Sequence, residues 1–152
     1  MTEGEYAKLL PEGIPSWHRP FWDSLRDHRI TVQRCTSCES YRHVPKEICS
    51  KCMSPDYSWS PIRPTGEVYT YTVIRRAPTS AYQQDAPYAL VHVAMDDGFR
   101  MIGGMTNVSP EAVRIGQRVK VAYQDVTPEW TLLQFEPAEL DTPHSNLNSS
   151  EG

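Results

Sequence analysis

The sequence predicts a mainly β protein with a short N-terminal helical arm, a small four-cysteine module and a five-stranded barrel of the OB type. Two observations predict it. All four cysteines of the 152-residue chain fall in one window of 18 residues, as two Cys-x-x-Cys pairs. From Gly66 onward, five short segments rich in β-branched and aromatic residues are separated by turn signals, a pattern typical of small closed barrels.

The two cysteine pairs, Cys35 with Cys38 and Cys49 with Cys52, have the spacing of a zinc ribbon. Each pair forms a tight turn that directs two thiolates at one point, and thiolates suit zinc better than calcium or magnesium. Because four thiolates fill all four tetrahedral positions, we expect a structural zinc cofactor and no open site for substrate. A disulfide interpretation requires an oxidising compartment, and the spacing and context do not favour it.

Composition and charge narrow the class of protein. The formal net charge of −4 argues against a role on nucleic acid or on a membrane surface. The first residues, 1–5, are acidic and lack the apolar core of a signal peptide, and no apolar run is long enough to span a membrane. We therefore expect a cytoplasmic protein, where cysteines stay reduced and available to a metal.

Residues 1–29 are expected to form an arm with a short helix over 20–27, since Pro20 suits a first helical turn. This short segment contains three large aromatic residues, Trp17, Phe21 and Trp22. Two interpretations stay open: the rings pack on the metal module of their own chain, or they dock on another protein, because aromatic residues are enriched in both settings.

The remaining divisions are a zinc ribbon over 30–62, a barrel over 63–137 and a disordered tail over 138–152. Alternation in the first barrel segment places Tyr69 and Tyr71 on one face. The pair Gly103–Gly104 predicts a bulge or a bend where the barrel closes. The expected barrel strands are Gly66–Ile74, Tyr88–Met95, Phe99–Gly104, Val119–Tyr123 and Thr131–Phe135.

Several motifs follow one another along the chain: the aromatic helix, Arg34-Cys35-x-x-Cys38, Cys49-x-x-Cys52, the string Gly66–Val73, Pro87-Tyr88, Asp97-Gly98 and Ile115-Gly116. In this order they resemble a family of zinc-ribbon and OB-fold proteins associated with thiolase-like enzymes, long catalogued as a domain of unknown function. The resemblance covers residues 17–136. One departure is Glu39, where the family usually has glycine after the second cysteine.

The resemblance implies a non-catalytic accessory subunit that binds a thiolase-fold protein in a hetero-oligomer. Members of the family serve complexes that act on acyl-CoA substrates, by acyl transfer, by condensation or by retro-aldol cleavage such as steroid side-chain degradation. The small subunit stabilises its partner there and helps to form the substrate channel. By this resemblance the acyl-CoA reaches the present chain through the complex.

The residues themselves indicate no autonomous active site. None of the five histidines lies in a metal-ligand or nucleophile motif. His92 precedes Asp96 by four residues on a predicted strand, which we interpret as an ordinary strand histidine. The sequence has no nucleophile elbow and no phosphate-binding loop.

Two alternatives come from other classes. A single-stranded nucleic-acid module would stack bases on Tyr69 and Tyr71, but the acidic balance favours core or partner packing for these rings. A free-standing acyl-CoA-binding protein would use Arg75 and Arg76, which lead into the loop 77–86. We favour the interpretation that these two arginines are simply solvated. The loop 77–86 stays a candidate for contact with the substrate or with the partner.

Overall fold

The computed structural model describes residues 7–138 as one α-helix, a three-stranded sheet and a closed five-stranded barrel. The mainly β class and the OB-type barrel expected from the sequence are confirmed. Residues 1–6 of the expected arm, and all of the expected tail except Ala138, lie outside the described residues. The division into domains stays a prediction.

Helix α1, Arg19–Arg26, follows a 3-10 turn at Ser16–His18. Pro20 lies in its first turn, where a missing N–H costs no helical hydrogen bond. His28 ends the helix in the left-handed region, with a φ of 53°. The next residue, Arg29, donates its N–H back to Ser24 O at 2.9 Å, which satisfies a terminal helix carbonyl and turns the chain into the first strand.

The zinc-ribbon sheet has the order β2-β1-β3, with both pairs antiparallel. Its strands are β1 Thr31–Cys35, β2 Tyr41–Arg42 and β3 Tyr57–Pro61. The first strand delivers Cys35 directly to the first cysteine turn. The long β2–β3 connection carries the second turn and returns to the other side of β1.

The barrel has the order β4-β5-β6-β8-β7 and closes because β7 also pairs with β4. All pairs are antiparallel except β6 with β8. Each of the five expected segments forms one of these strands. They are β4 Thr65–Ile74, β5 Tyr88–Met95, β6 Arg100–Met105, β7 Arg118–Asp125 and β8 Thr131–Pro137.

Glycines lie where barrel strands approach too closely for a side chain. A Cβ at Gly66 would lie 2.5 Å from the backbone oxygen of Ala94. A Cβ at Gly103 would lie 3.0 Å from the ring of Phe135. The predicted bend at Gly103–Gly104 therefore marks the parallel contact of β6 with β8, which closes the barrel.

The expectation that Tyr69 and Tyr71 share a face is wrong. Strand β4 has a bulge at Tyr69, immediately before the pair of Thr70 with His92. One extra residue reverses the alternation of every residue after it. Tyr71 thus lies opposite Val91, which is fully buried, whereas the Tyr69 ring meets His92 edge-on with centroids 6.0 Å apart.

One hydrophobic core joins the helix, the ribbon and the barrel. Phe21 and Leu25 of α1 are buried in the same cluster as Val32 of the ribbon and Phe135 of the barrel. Phe21 is only 5% exposed and so packs within its own chain, which corrects the alternative that this ring docks on a partner. The helix therefore packs against both the ribbon sheet and the barrel.

The β5–β6 hairpin is tied by its first aspartate to the starts of β4 and β7, which lie at the same end of the barrel. Asp96 accepts two hydrogen bonds from the Arg118 guanidinium, at 2.9 and 2.7 Å, and one from the Thr65 hydroxyl at 2.5 Å. These bonds hold the pKa of Asp96 far below its usual range. The predicted turn follows, with Gly98 at a φ of 92°.

We predict that Gly66→Ala and Gly104→Ala differ sharply in stability. At Gly66 the new methyl group meets backbone, which cannot move aside, and we expect a loss of about 1–3 kcal/mol. At Gly104 it meets the end of the Gln134 side chain, which can rotate away, so the loss should stay below about 1 kcal/mol. Urea unfolding measures both; equal losses would contradict this explanation of barrel closure.

We predict that stability falls in acid because of His43. This histidine packs near the rings of Phe21 and Phe99, and burial lowers its pKa from 6.5 to about 4. Below pH 6.5 the His43 side chain is protonated in the unfolded chain but stays neutral in the folded chain. Stability is therefore lost as the pH falls from 6.5 toward 4. The loss reaches about 1 kcal/mol by pH 5.5.

The measurement compares urea unfolding of wild type and His43→Phe between pH 7.5 and 5.5, with zinc content checked at each pH. Any acid effect on the metal is common to both proteins and cancels. An identical pH slope in the two proteins would overturn the role given to His43.

Candidate metal centre and barrel grooves

The four cysteine sulfur atoms converge on one point in the ribbon. All four lie within 4.8 Å of one another. The Sγ atoms of Cys35 and Cys52 are 3.5 Å apart, and those of Cys38 and Cys49 are 3.6 Å apart. Zinc–sulfur bonds of about 2.3 Å in a tetrahedron place thiolates about 3.8 Å apart. The predicted structural zinc fits this donor set, and four thiolates leave no open position.

The two cysteine turns repeat the same backbone hydrogen bonds. In the first, Glu39 donates its N–H to Cys35 O at 2.9 Å; in the second, Met53 donates to Cys49 O at 3.0 Å. Both donors have a φ of 63°, in the left-handed region. Glu39 therefore takes the conformation that glycine adopts more easily, and the departure from the family pattern leaves the turn intact.

The backbone of each turn also favours the thiolate form of its first cysteine. The backbone N–H of Cys38 lowers the pKa of the Cys35 thiol to about 6, although burial opposes the shift. The backbone N–H of Cys52 lowers the pKa of Cys49 in the same way. Zinc binds the thiolate form, so these N–H groups favour the state that the metal requires.

A buried arginine joins the two turns. Arg42 of β2 is 3% exposed, and its guanidinium donates to backbone carbonyls on the far side of the module, including Ser54 O at 2.8 Å and Asp56 O at 2.9 Å. Its neighbour across the sheet, Gln33, accepts the N–H of Lys46 at 2.6 Å. Sequence reasoning missed both residues, because polar side chains usually lie at the surface.

A groove of about 890 Å³ crosses the barrel along β5, β6, β7 and β8. At its rim His28 Nε2 lies 3.0 Å from both carboxylate oxygens of Asp125, which also accepts a 2.6 Å bond from the Thr131 hydroxyl. In the groove Gln134 donates to Gln124 at 3.2 Å. The His–Asp pair fastens the end of the helix to β7.

A second cleft, of about 600 Å³, lies where the ribbon meets the barrel. His43 and Phe99 line it, together with the cations Arg34, Lys51 and Arg100. Arg100 lies over the ring of Tyr69, 3.9 Å from its centroid. Side chains of both the zinc ribbon and the barrel therefore line this cleft.

The partner and substrate residues predicted from the sequence do not converge on one site. Trp17 meets His18 edge-on, with ring centroids 4.1 Å apart. Trp22 is half-buried, with its ring centroid 5.9 Å from that of Trp130. Tyr69 is half exposed on the barrel exterior.

The other predicted residues lie apart from these. Tyr71 is 36% exposed near the far end of β4. Arg75 forms a 3.3 Å ion pair with Glu111, and its neighbour Arg76 is exposed. Between residues 7 and 138, no helix is both long enough and apolar enough to cross a membrane.

We predict that Cys35→Ser loses the metal and unfolds the ribbon, because metal binding supplies folding free energy in such small modules. Zinc content should fall from one per chain to near zero, and amide exchange should accelerate in β1, β2 and β3 more than in the barrel. Ser50→Ala, an exposed serine inside the second cysteine turn, is the matched control. Full zinc content in Cys35→Ser would contradict the assignment.

Family models match both halves of the chain. A model of the rubredoxin-like zinc ribbon domain of ChsH2 matches residues 22–58, and a model of the C-terminal OB-fold domain of ChsH2 matches residues 59–124. Structural comparison agrees. The chain is similar to a solved structure entitled Ltp2-ChsH2(DUF35) aldolase, with a TM-score of 0.72 and 29% identity, over 82% of this chain and 97% of that one.

Two curated relatives extend the comparison. A probable enoyl-CoA hydratase alpha subunit of Thermomonospora curvata is 30% identical over 90% of this chain, which spans only 43% of that protein. A DUF35 domain-containing scaffold protein of Methanocaldococcus jannaschii is 30% identical over 69% of this chain and 75% of its own length. The chain therefore belongs to the DUF35 family, with a ChsH2-type zinc ribbon and OB-fold domain.

Proposed function

We propose that this chain is a non-catalytic accessory subunit of a thiolase-like enzyme complex that acts on acyl-CoA substrates. The observation that carries the proposal is the similarity to the Ltp2-ChsH2 aldolase structure, which extends over 97% of that chain and includes both modules. The hydratase alpha subunit supports the same kind of complex, because its name implies a further subunit and a CoA thioester substrate.

The site chemistry supports a structural role for this subunit. The metal centre has four cysteine ligands, so zinc has no free position at which to polarise a carbonyl or activate water. In this proposal the nucleophile and the acid–base groups of the reaction belong to the partner.

The alternatives lose support from the same structure. Base stacking on Tyr69 and Tyr71 needs both rings on one face, and the bulge in β4 separates them. A CoA site at Arg75 and Arg76 would have to compete with Glu111 for the first of these guanidinium groups. The accessory-subunit function therefore has more support than either alternative.

We further propose that the partner covers apolar side chains of the ribbon instead of the aromatic residues of the helix. Val44, Ile48 and Met53 are 58%, 48% and 70% exposed, although residues of this type are usually buried. All three belong to the segments around the cysteine turns. Zinc would then act on the complex by holding these side chains in place.

A native pull-down of the tagged chain from its host, with mass spectrometry, tests the function. We expect a thiolase-fold protein in stoichiometric amount. The double variant Ile48→Ser and Met53→Ser should recover much less of it, because a partner surface loses its apolar contacts. Ile115→Ser removes an equally exposed apolar side chain from a barrel loop and should behave as wild type. Recovery of the chain alone, or with nucleic acid, would contradict the proposal.

A further inference from the structure

Arg42 is a buried charge with no counter-charge among its protein contacts. Its side chain lies inside the ribbon, and within residues 7–138 no aspartate or glutamate forms an ion pair with it. A guanidinium is ionised under all ordinary conditions. Burying it without an anion is unfavourable, so its position implies a negative charge nearby.

The Arg42 guanidinium links the two cysteine turns through its hydrogen bonds. The two terminal nitrogens donate to five backbone carbonyls, and Ser54 O, one of them, also accepts the Cys49 N–H that closes the second cysteine turn. Arg42 itself follows the first turn. The guanidinium therefore fixes the two turns relative to each other. The five acceptors are the carbonyls of Lys46, Glu47, Ser54, Pro55 and Asp56.

The third nitrogen has no such partner. Arg42 Nε is buried and has no hydrogen-bond partner among the described residues. The guanidinium lies over the ring of Tyr57, 5.2 Å from its centroid, and Tyr57 is paired with Cys35 across the sheet. Residues paired across a sheet share a face, so the guanidinium and the anion-forming Cys35 lie on the same side of this sheet.

The charges of the two groups match. Four thiolates around Zn²⁺ give a centre with a net charge of −2, which is itself unfavourable in a buried setting. We propose that Arg42 is a positioning residue for the metal centre, whose buried positive charge and free Nε–H stabilise the Cys35 thiolate of the zinc-bound state. The arginine and the metal centre then compensate each other's burial, and neither is stable alone. This inference concerns the ribbon and does not depend on the proposed partner.

Three variants separate this electrostatic role from a packing role. Arg42→Met removes the charge and every donor while keeping a long side chain. Arg42→Lys keeps the charge but loses the planar fork and most of the carbonyl bonds. Arg34→Met removes the neighbouring arginine, which is 41% exposed and directly precedes Cys35. Zinc affinity is measured by competition with a chromogenic chelator, and zinc release is followed as the pH is lowered.

We expect Arg42→Met to bind zinc about 10- to 100-fold more weakly and to release it at a higher pH, as is typical when a group supporting a metal ligand is lost. Arg42→Lys should keep most of the affinity and Arg34→Met all of it. Wild-type affinity in Arg42→Met would overturn the proposal. So would equal losses in the Met and Lys variants, which would assign the role to the carbonyl bonds alone.

If Arg42→Met is unfolded at one zinc per chain, excess zinc provides the decisive measurement. Recovery of the β-sheet signal with excess zinc supports the proposal, since weak metal binding is then the defect. Failure to refold at saturating zinc would contradict it.

Discussion

The convergence of four cysteine sulfur atoms on one point is the constraint on which the ribbon depends. It requires two turns with left-handed residues at Glu39 and Met53, and it requires the long β2–β3 connection to return across β1. A segment of this size cannot bury enough apolar surface to fix such turns by itself. Metal binding supplies the missing free energy, and the buried side chains around the centre are arranged accordingly.

The consequences of that constraint reach the barrel through the helix. Phe21 and Leu25 pack into the core that also contains Val32 and Phe135, so the ribbon's orientation on the barrel is set by apolar contact. The His28–Asp125 bond fastens the end of the helix to β7. An ordered ribbon on a fixed barrel is a rigid surface, which is the property a scaffolding subunit needs to align a partner.

The sequence was most informative where signals are local. Cysteine spacing and five β-rich segments predicted the metal centre and every barrel strand. Three features depend on tertiary context and could not be predicted from the sequence. The bulge at Tyr69 adds one residue without any local signal and reverses the faces of β4. Phe21 could not be assigned, because the physical properties that bury an aromatic ring in a core also suit it to an interface. Arg42 was missed because charged residues are rarely buried.

Reconstitution tests the proposal that a zinc-held ribbon makes this chain a scaffold and not a catalyst. Acyl-CoA turnover is measured for the purified partner alone, this chain alone, and the partner with zinc-loaded or chelator-stripped chain. We expect no turnover by the chain alone, full turnover with the zinc-loaded chain, and only the turnover of the partner alone with the stripped chain. Turnover by the chain alone, or equal activity with the stripped chain, would contradict it.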